Sequence, residues 1–271
     1  MRSPHYNACP MVEELVPRRR AMLTVLVLLG FAFTDLVTIV VPAAGQQAAA
    51  PQAREDILGT GKKLYSQHDE ELVIRDFFQD RRQGTFLDVG CAWPIKASNT
   101  FYLEQRLGWR GIAVDALPDY EQAWRKRRRR SRFFNYLVTD HAGTFESFFR
   151  SELLGVSTIK PPEEFEGRKL KYDEIRVPTI TLNQLLDENE MKKVDFVSMD
   201  IEGAELLALA GFDIERFTPE LLCIEAKPQN RAALMQYFAT HGYEPIERYF
   251  QRDPVNYYFA PKLGERSLGL Q

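Results

Sequence analysis

The sequence predicts an α/β fold: a doubly wound sheet, mostly parallel, closed by a C-terminal antiparallel strand. Three observations carry this. Short apolar runs of strand length alternate with stretches of helical period from Thr85 onward, the pattern that builds parallel sheets with helices on both faces. Several of these runs end in an acid or a glycine, as strands do where a sheet presents a ligand at its carboxyl edge. The last two runs, Glu244 to Arg248 and Asn256 to Ala260, read as a closing antiparallel pair.

In chain order, Ile57 to Arg82 reads as one or two amphipathic helices, with Leu72, Val73, Phe77 and Phe78 at helical spacing. Thr85 to Val89, followed by Gly90, has the length and flanks of a buried strand. Asn99 to Leu107 is helical and Ile112 to Asp115 a second strand. Tyr120 to Arg130 is a strongly basic helix, and Phe133 to Val138 a third strand. Phe145 to Tyr172 is polar and irregular, carries Pro161-Pro162, and reads as a lid or long loop. Thr181 caps a helix running to Glu190. Val194 to Met199 is the fourth strand with a helix from Ala204 to Ala210 behind it, and Leu221 to Glu225 the fifth with a helix from Arg231 to His241.

The N-terminus is organised differently. A basic lead, residues 1–20, ends in Arg18-Arg19-Arg20 and precedes an apolar run from Ala21 to Val41 interrupted only by Asp35. At ~1.5 Å per residue that run spans ~30 Å, the thickness of a bilayer's hydrocarbon core. A small-residue linker, residues 42–56, then leads to the domain at 57–271, with Ala43-Ala44-Gly45 resembling a small-x-small cleavage site. Two readings stand: an uncleaved single-pass anchor, or a signal peptide removed after export. The arginines favour a cytoplasmic N-terminus, which places the domain in a lumen or periplasm.

Composition excludes several classes. A formal net charge of −3 gives no support for nucleic-acid binding. Three cysteines without a CxxC pair, and four scattered histidines, offer neither a disulfide framework nor a metal site. The dinucleotide fingerprint GxGxxG is absent.

What remains is a set of acids. Asp88, Asp115 and Asp200 stand at or just after strand ends, and Asp140 follows the third strand. Clustered negative charge at a sheet edge calls for a ligand with cationic or hydroxyl-rich parts. An acid ending the second strand can accept ribose hydroxyls, and Gly90 permits a tight turn and close approach. S-adenosylmethionine, with its sulfonium, ammonium and ribose diol, has the matching chemistry.

The run Asp88 to Pro118 contains Asp88-Val89-Gly90, Pro94, Ser98-Asn99-Thr100, Leu103-Glu104, Gly108-Trp109-Arg110-Gly111 and Asp115; farther on come Val177 to Leu182, Asp195 to Glu205, Gly211-Phe212-Asp213 and Cys223-Ile224-Glu225. In this order they resemble the FkbM-type S-adenosylmethionine-dependent methyltransferases over most of Thr85 to Lys227. The resemblance implies a Rossmann-like class I methyltransferase sheet. It implies that Asp88 and Gly90 line the methionine part of the cofactor, Asp115 holds the ribose, and Asp140 lies near the adenine. Asp200 and Glu202 would face the transferring methyl or the acceptor, with Ser98, Asn99 and Thr100 as substrate contacts. The family's usual third loop glycine is missing, and Pro94 stands near its place. The acceptor implied is a hydroxyl on a sugar, lipid-linked or secondary-metabolite molecule, with Asp200 or Glu202 as base.

Plainer readings stand beside these. Ser98-Asn99-Thr100 can simply cap the next helix, and Glu202 can cap the helix near Ala204. Trp109 reads as packing and Cys91 as a small loop residue. Arg125 to Arg132 reads as a solvated helix face, or as a surface for acidic lipid headgroups, an anionic acceptor or a partner. The non-catalytic alternative is a membrane-anchored binding or trafficking protein, as the Star-type relatives are.

Overall fold

A computed structural model of the chain describes residues 54–161 and 167–262. The basic lead, the apolar run at 21–41 and most of the linker lie outside the described residues. No helix among the described residues is long and apolar enough to cross a membrane. The described residues belong to one compact unit.

Its elements are α1 (Ile57–Thr60), α2 (Glu70–Phe78), β1 (Thr85–Val89), α3 (Phe101–Leu107), β2 (Arg110–Asp115), α4 (Glu121–Arg127), β3 (Ser131–Asn135), β4 (Leu137–Val138), β5 (Phe145–Ser151), β6 (Tyr172–Ile180), α5 (Leu182–Glu188), β7 (Phe196–Met199), α6 (Glu205–Ala210), α7 (Ile214–Phe217), β8 (Leu221–Glu225), α8 (Arg231–Thr240), β9 (Tyr243–Pro245) and β10 (Asn256–Pro261). The main sheet has the order β3-β2-β1-β7-β8-β10-β9. β3, β2, β1, β7 and β8 run parallel, and β10 is antiparallel to both β8 and β9. The strand order reverses between β1 and its two neighbours, which makes that edge the natural ligand position.

The central strands are apolar because helices cover both faces. On one face Leu87, Val89, Ile112, Val114, Val197 and Met199 pack in the largest core cluster, together with Leu182, Leu185 and Phe238. On the other, Phe86, Phe196 and Cys223 pack with Val73, Phe78 and Trp109. Trp109 is fully buried, and its indole N–H donates to the Arg81 carbonyl at 2.6 Å, which agrees with packing as its role. The Thr181 hydroxyl accepts from the Gln184 N–H at 3.1 Å and caps α5 as the sequence predicts.

Two expectations are corrected. The third strand is not continuous: it breaks at Tyr136, and Leu137–Val138 leaves the main sheet to pair with Leu137↔Thr179 and Val138↔Ile180 on β6. The segment expected to be an irregular lid contains β5 and the start of β6, paired antiparallel from Phe145↔Pro178 to Ser151↔Tyr172. Its period-2 pattern is hidden because this small sheet buries little. Phe148 and Ser151 are inside β5, whereas Phe145 is an exposed aromatic that breaks the alternation.

Candidate active site

Strand register assembles the site. Val89 pairs with Val114 on β2 and with Met199 on β7, and Met199 pairs with Ile224 on β8. The next residue of each strand, Gly90, Asp115, Asp200 and Glu225, therefore stands side by side along one carboxyl edge. Gly90, Asp115 and Asp200 line a cleft with about 60 Å³ of interior space. Asp115, Asp200 and Glu202 line it from the edge, Tyr136 to Val138 form an apolar wall, and Phe148, Leu154 and Ile159 close it from the small sheet and the turn that follows.

Gly90 has φ +74°, and a Cβ there would lie 1.8 Å from the Asp200 carbonyl oxygen. Any side chain would both strain the turn and drive β1 from β7, so the close approach that requires glycine here is to the neighbouring strand.

The Asp115 carboxylate accepts the Ala92 N–H and the Leu117 N–H, each at 2.9 Å. It thus fixes the loop after β1 and the turn before α4 while facing the cleft. Burial raises its pKa to about 6, with the Asp88 charge adding to the effect and the two N–H bonds opposing it. The loop departs from a glycine-built one. Ala92 and Ala97 take positive φ values of 43° and 56°, and side chains hold the loop: the Trp124 indole donates to the Ala92 carbonyl at 2.7 Å, and Arg128 donates to the Pro94 carbonyl at 3.0 Å.

Asp88 does not join the cleft lining. It sits two residues inside the edge, buried, and accepts the Thr100 hydroxyl at 2.6 Å. Burial raises its pKa to about 6; the Thr100 bond and the Arg128 charge pull the other way. Ser98, Asn99 and Thr100 also lie outside the cleft lining. The Ser98 hydroxyl accepts the Phe101 N–H at 3.2 Å at the start of α3, and Asn99 donates to the Ser198 hydroxyl at 3.1 Å. These bonds tie α3 to β1 and β7. Asp140 is exposed and bonds its neighbour His141 at 2.7 Å.

Arg128, from the basic run, is buried. It donates to Glu104 at 2.7 Å and to the Thr100 hydroxyl at 2.9 Å, beneath the Trp124 ring. The other basic residues of that run are exposed.

Along the same edge from Asp115, Asp200 and Glu225 end the adjacent strands β7 and β8, and their charges are close enough to disfavour ionisation of both. Asp200 is exposed toward the cleft, and the densely packed groups around it desolvate its carboxyl group. This desolvation, with the Glu202 and Glu205 charges, raises its pKa to about 7. Burial and the Asp200 charge raise Glu225 to about 9. Lys227 ion-pairs with Glu202 and lies 3.5 Å from Glu225. Glu202 has φ +57°, a conformation seldom occupied by such a residue outside functional or tightly constrained turns. The cap of the following turn is Glu205, which accepts the Gly203 N–H at 3.0 Å. Glu202 is thus freed from the capping role. Among the described residues no group of three or more His, Cys, Asp or Glu is arranged to hold a metal ion.

S-adenosylmethionine fits these donors. Tyr120 lines the cleft, and its buried hydroxyl has no hydrogen-bond partner; a buried hydroxyl left so is costly until a partner satisfies it. Asp115 can accept ribose hydroxyls on its free lone pairs, the apolar wall suits a purine, and the acids at the edge suit cationic groups.

Sequence reasoning missed Tyr120, Glu225 and Lys227. Glu225 carries the same signal as Asp115, an acid ending a strand, and was legible. Lys227 and Tyr120 have no motif of their own.

The Methyltransferase FkbM domain family matches residues 88–245, more than half of the chain. No curated protein sequence matches. Among solved structures, the chain is similar to a precorrin-6y C5,15-methyltransferase from Geobacter metallireducens, with 13% identity over 68% of this chain and 75% of that one and a TM-score of 0.39. It is similar to a TehB-like S-adenosylmethionine-dependent methyltransferase from Corynebacterium glutamicum, with 13% identity over 76% and 92% and a TM-score of 0.41. A third, from Geobacter sulfurreducens in complex with S-adenosyl-L-homocysteine, shows 8% identity over 76% and 96% and a TM-score of 0.37. The sheet is of the class I methyltransferase type: α/β, seven-stranded, mostly parallel, with antiparallel C-terminal strands.

Proposed function

The chain belongs to the FkbM methyltransferase family, whose cofactor is S-adenosylmethionine, and from that premise we propose that it methylates a hydroxyl oxygen on a sugar, lipid-linked or secondary-metabolite acceptor. The observation that carries the oxygen-directed reading is Asp200 in the cleft lining, its carboxyl group made more basic by burial and by the acids around it. When bound, the cofactor supplies an electrophilic methyl group. The chain must bring the acceptor in line and remove its proton.

An ordinary carboxylate is a weak base for a hydroxyl. Asp200, whose pKa burial raises to about 7, is about half ionised at neutral pH and more basic than an ordinary carboxylate, the condition that favours general-base assistance. Its carboxylate would take the hydroxyl proton as the acceptor oxygen gains the methyl group given up by the cofactor's sulfur, which leaves as the thioether, and water would accept that proton afterwards. Glu202, held by Lys227, orients the acceptor at the mouth of the cleft. Asp115 and Tyr120 hold the cofactor's ribose side, and the small sheet excludes water from the cleft.

The test has two stages. Calorimetry measures S-adenosylmethionine binding to the wild type and to Asp115→Ala. Transfer of isotopically labelled methyl is then followed over a panel of polyols, glycolipids and phenolic metabolites, with the product linkage read by NMR. Methyl ethers formed by the wild type, with at least a tenfold loss in Asp200→Asn, support the reading. Binding of cofactor accompanied by methylation only at nitrogen or carbon would overturn oxygen as the target, and no binding would overturn the enzyme reading.

A further inference from the structure

The exposed face beside the cleft has a composition that the methyl-transfer reading does not use. Trp93 is 45% exposed, the only tryptophan of the three that is not fully buried. Its ring packs edge-on against Tyr120, with centroids 5.0 Å apart, so this surface adjoins the cleft wall. Trp93, Pro94, Ile95 and Ala123 line a shallow apolar hollow, and Lys96 and Arg127 rim it. On α4, Ala123, Lys126 and Arg127 are three and four residues apart and share one side. Lys126 and Arg127 are exposed and, like Lys96, pair with no acid among the described residues; Arg125 on another side is paired with Glu121 at 2.6 Å.

We propose that this face docks on an anionic membrane surface, with Trp93 inserted at the headgroup level and Lys96, Lys126 and Arg127 against the acidic headgroups. Tryptophan is the side chain best suited to the membrane interface, being apolar in body with one polar N–H. Unpaired cations around it supply attraction to acidic lipid that a neutral bilayer lacks. Charge complementarity is local, since the chain as a whole carries a net charge of −3 and would otherwise be repelled. An aliphatic hollow of proline, isoleucine and alanine suits acyl chains and offers nothing to the edges of a nucleic-acid base. Through Tyr120, insertion of Trp93 places the cleft against the membrane, where a lipid-borne acceptor would reach it. The docking itself does not depend on the methyl-transfer reading.

The experiment uses the full chain mixed with vesicles of phosphatidylcholine alone, or with 40% phosphatidylglycerol, their acyl chains brominated. Trp109 and Trp124 are fully buried, so quenching by bromine reports Trp93, and Trp93→Phe serves as the blank. The expected result is quenching on the anionic vesicles at least threefold that on phosphatidylcholine, reduced by half or more in 0.5 M salt and in the double variant Lys126→Glu, Arg127→Glu. Equal quenching on both vesicles, or none, overturns the proposal even if the N-terminal segment binds the bilayer. So does a shift of Trp93 emission produced by single-stranded RNA and not by anionic vesicles. Cofactor calorimetry on the same samples is independent of either outcome.

Discussion

Replacing Glu225 by glutamine should change how stability depends on pH. Asp200 and Glu225 follow the paired residues Met199 and Ile224 on adjacent strands, and neighbouring strands lie ~4.8 Å apart. Two like charges ~5 Å apart repel by ~3 kcal/mol at the effective dielectric of about 20 that suits partly buried sites. The folded protein avoids this cost by keeping a proton on the pair, and both carboxyl groups are raised for that reason and by burial. In the unfolded chain both are ionised above the ordinary carboxylate range. Folding therefore takes up a proton between that range and the raised values, and stability falls with rising pH across the window, by up to ~1.4 kcal/mol per pH unit for each proton retained. Below the window both states are protonated and the difference is flat; above about pH 9 it is flat again at its lowest. Glutamine keeps the shape and a hydrogen-bond donor but removes one charge. Urea unfolding from pH 5 to pH 9 should show that Glu225→Gln, relative to its own value at pH 5, retains ~3 kcal/mol more stability at pH 9 than the wild type. The other titrating groups are common to both proteins and cancel in the difference. Parallel stability curves would refute the retained proton.

Three further outcomes follow from the same geometry. Arg128→Leu leaves Glu104 and Asp88 as buried acids without their cation and should cost ~3–5 kcal/mol in urea unfolding, whereas adding Glu104→Gln should recover part of that loss. Tyr120→Phe removes a hydroxyl without a partner, so the melting temperature without cofactor should hold or rise, while calorimetry should show cofactor affinity falling by roughly fivefold to tenfold, the worth of one hydrogen bond. Asp115→Ala should lower that affinity at least tenfold, and hydrogen exchange should show faster exchange at the Ala92 and Leu117 amides, whose acceptor it removes.

The parallel sheet was legible because its strands carry their own evidence. Thr85–Val89 and Leu221–Glu225 are bounded as the sequence predicts, since apolar runs buried on both faces admit few alternatives. The small sheet was not legible. Its strands bury one weak face, and pairing of residues as far apart as Phe145 and Pro178 leaves no local trace. The site was legible to the same degree as the strands that carry it: Asp115 and Asp200 follow from strand ends, whereas Asp88 lies within its strand and is occupied by Thr100. The run of arginines shows the limit of reading charge as exposure. Arg128 is buried four residues after Trp124, on the inner side of the same helical turn, and only the partner Glu104, 24 residues earlier, explains why that position tolerates a cation.

The missing third glycine of the cofactor loop has a structural answer that bears on binding. A glycine-built loop exposes its backbone to the ligand but must be ordered by it, because glycine carries the largest conformational freedom. Here the loop is held from three sides before any ligand arrives, by the Asp115 carboxylate, the Trp124 indole and the Arg128 guanidinium. The acid suited to the ribose is thus also the acid that fixes the loop, each carboxylate oxygen using one lone pair on an N–H and keeping another for a hydroxyl. Ordering costs that a flexible loop would incur at binding are met in the folded state. The positive φ at Ala92 is the residue of that exchange: local strain held in place by three hydrogen bonds, so that the Asp115 carboxylate is fixed at the cleft before any ligand binds.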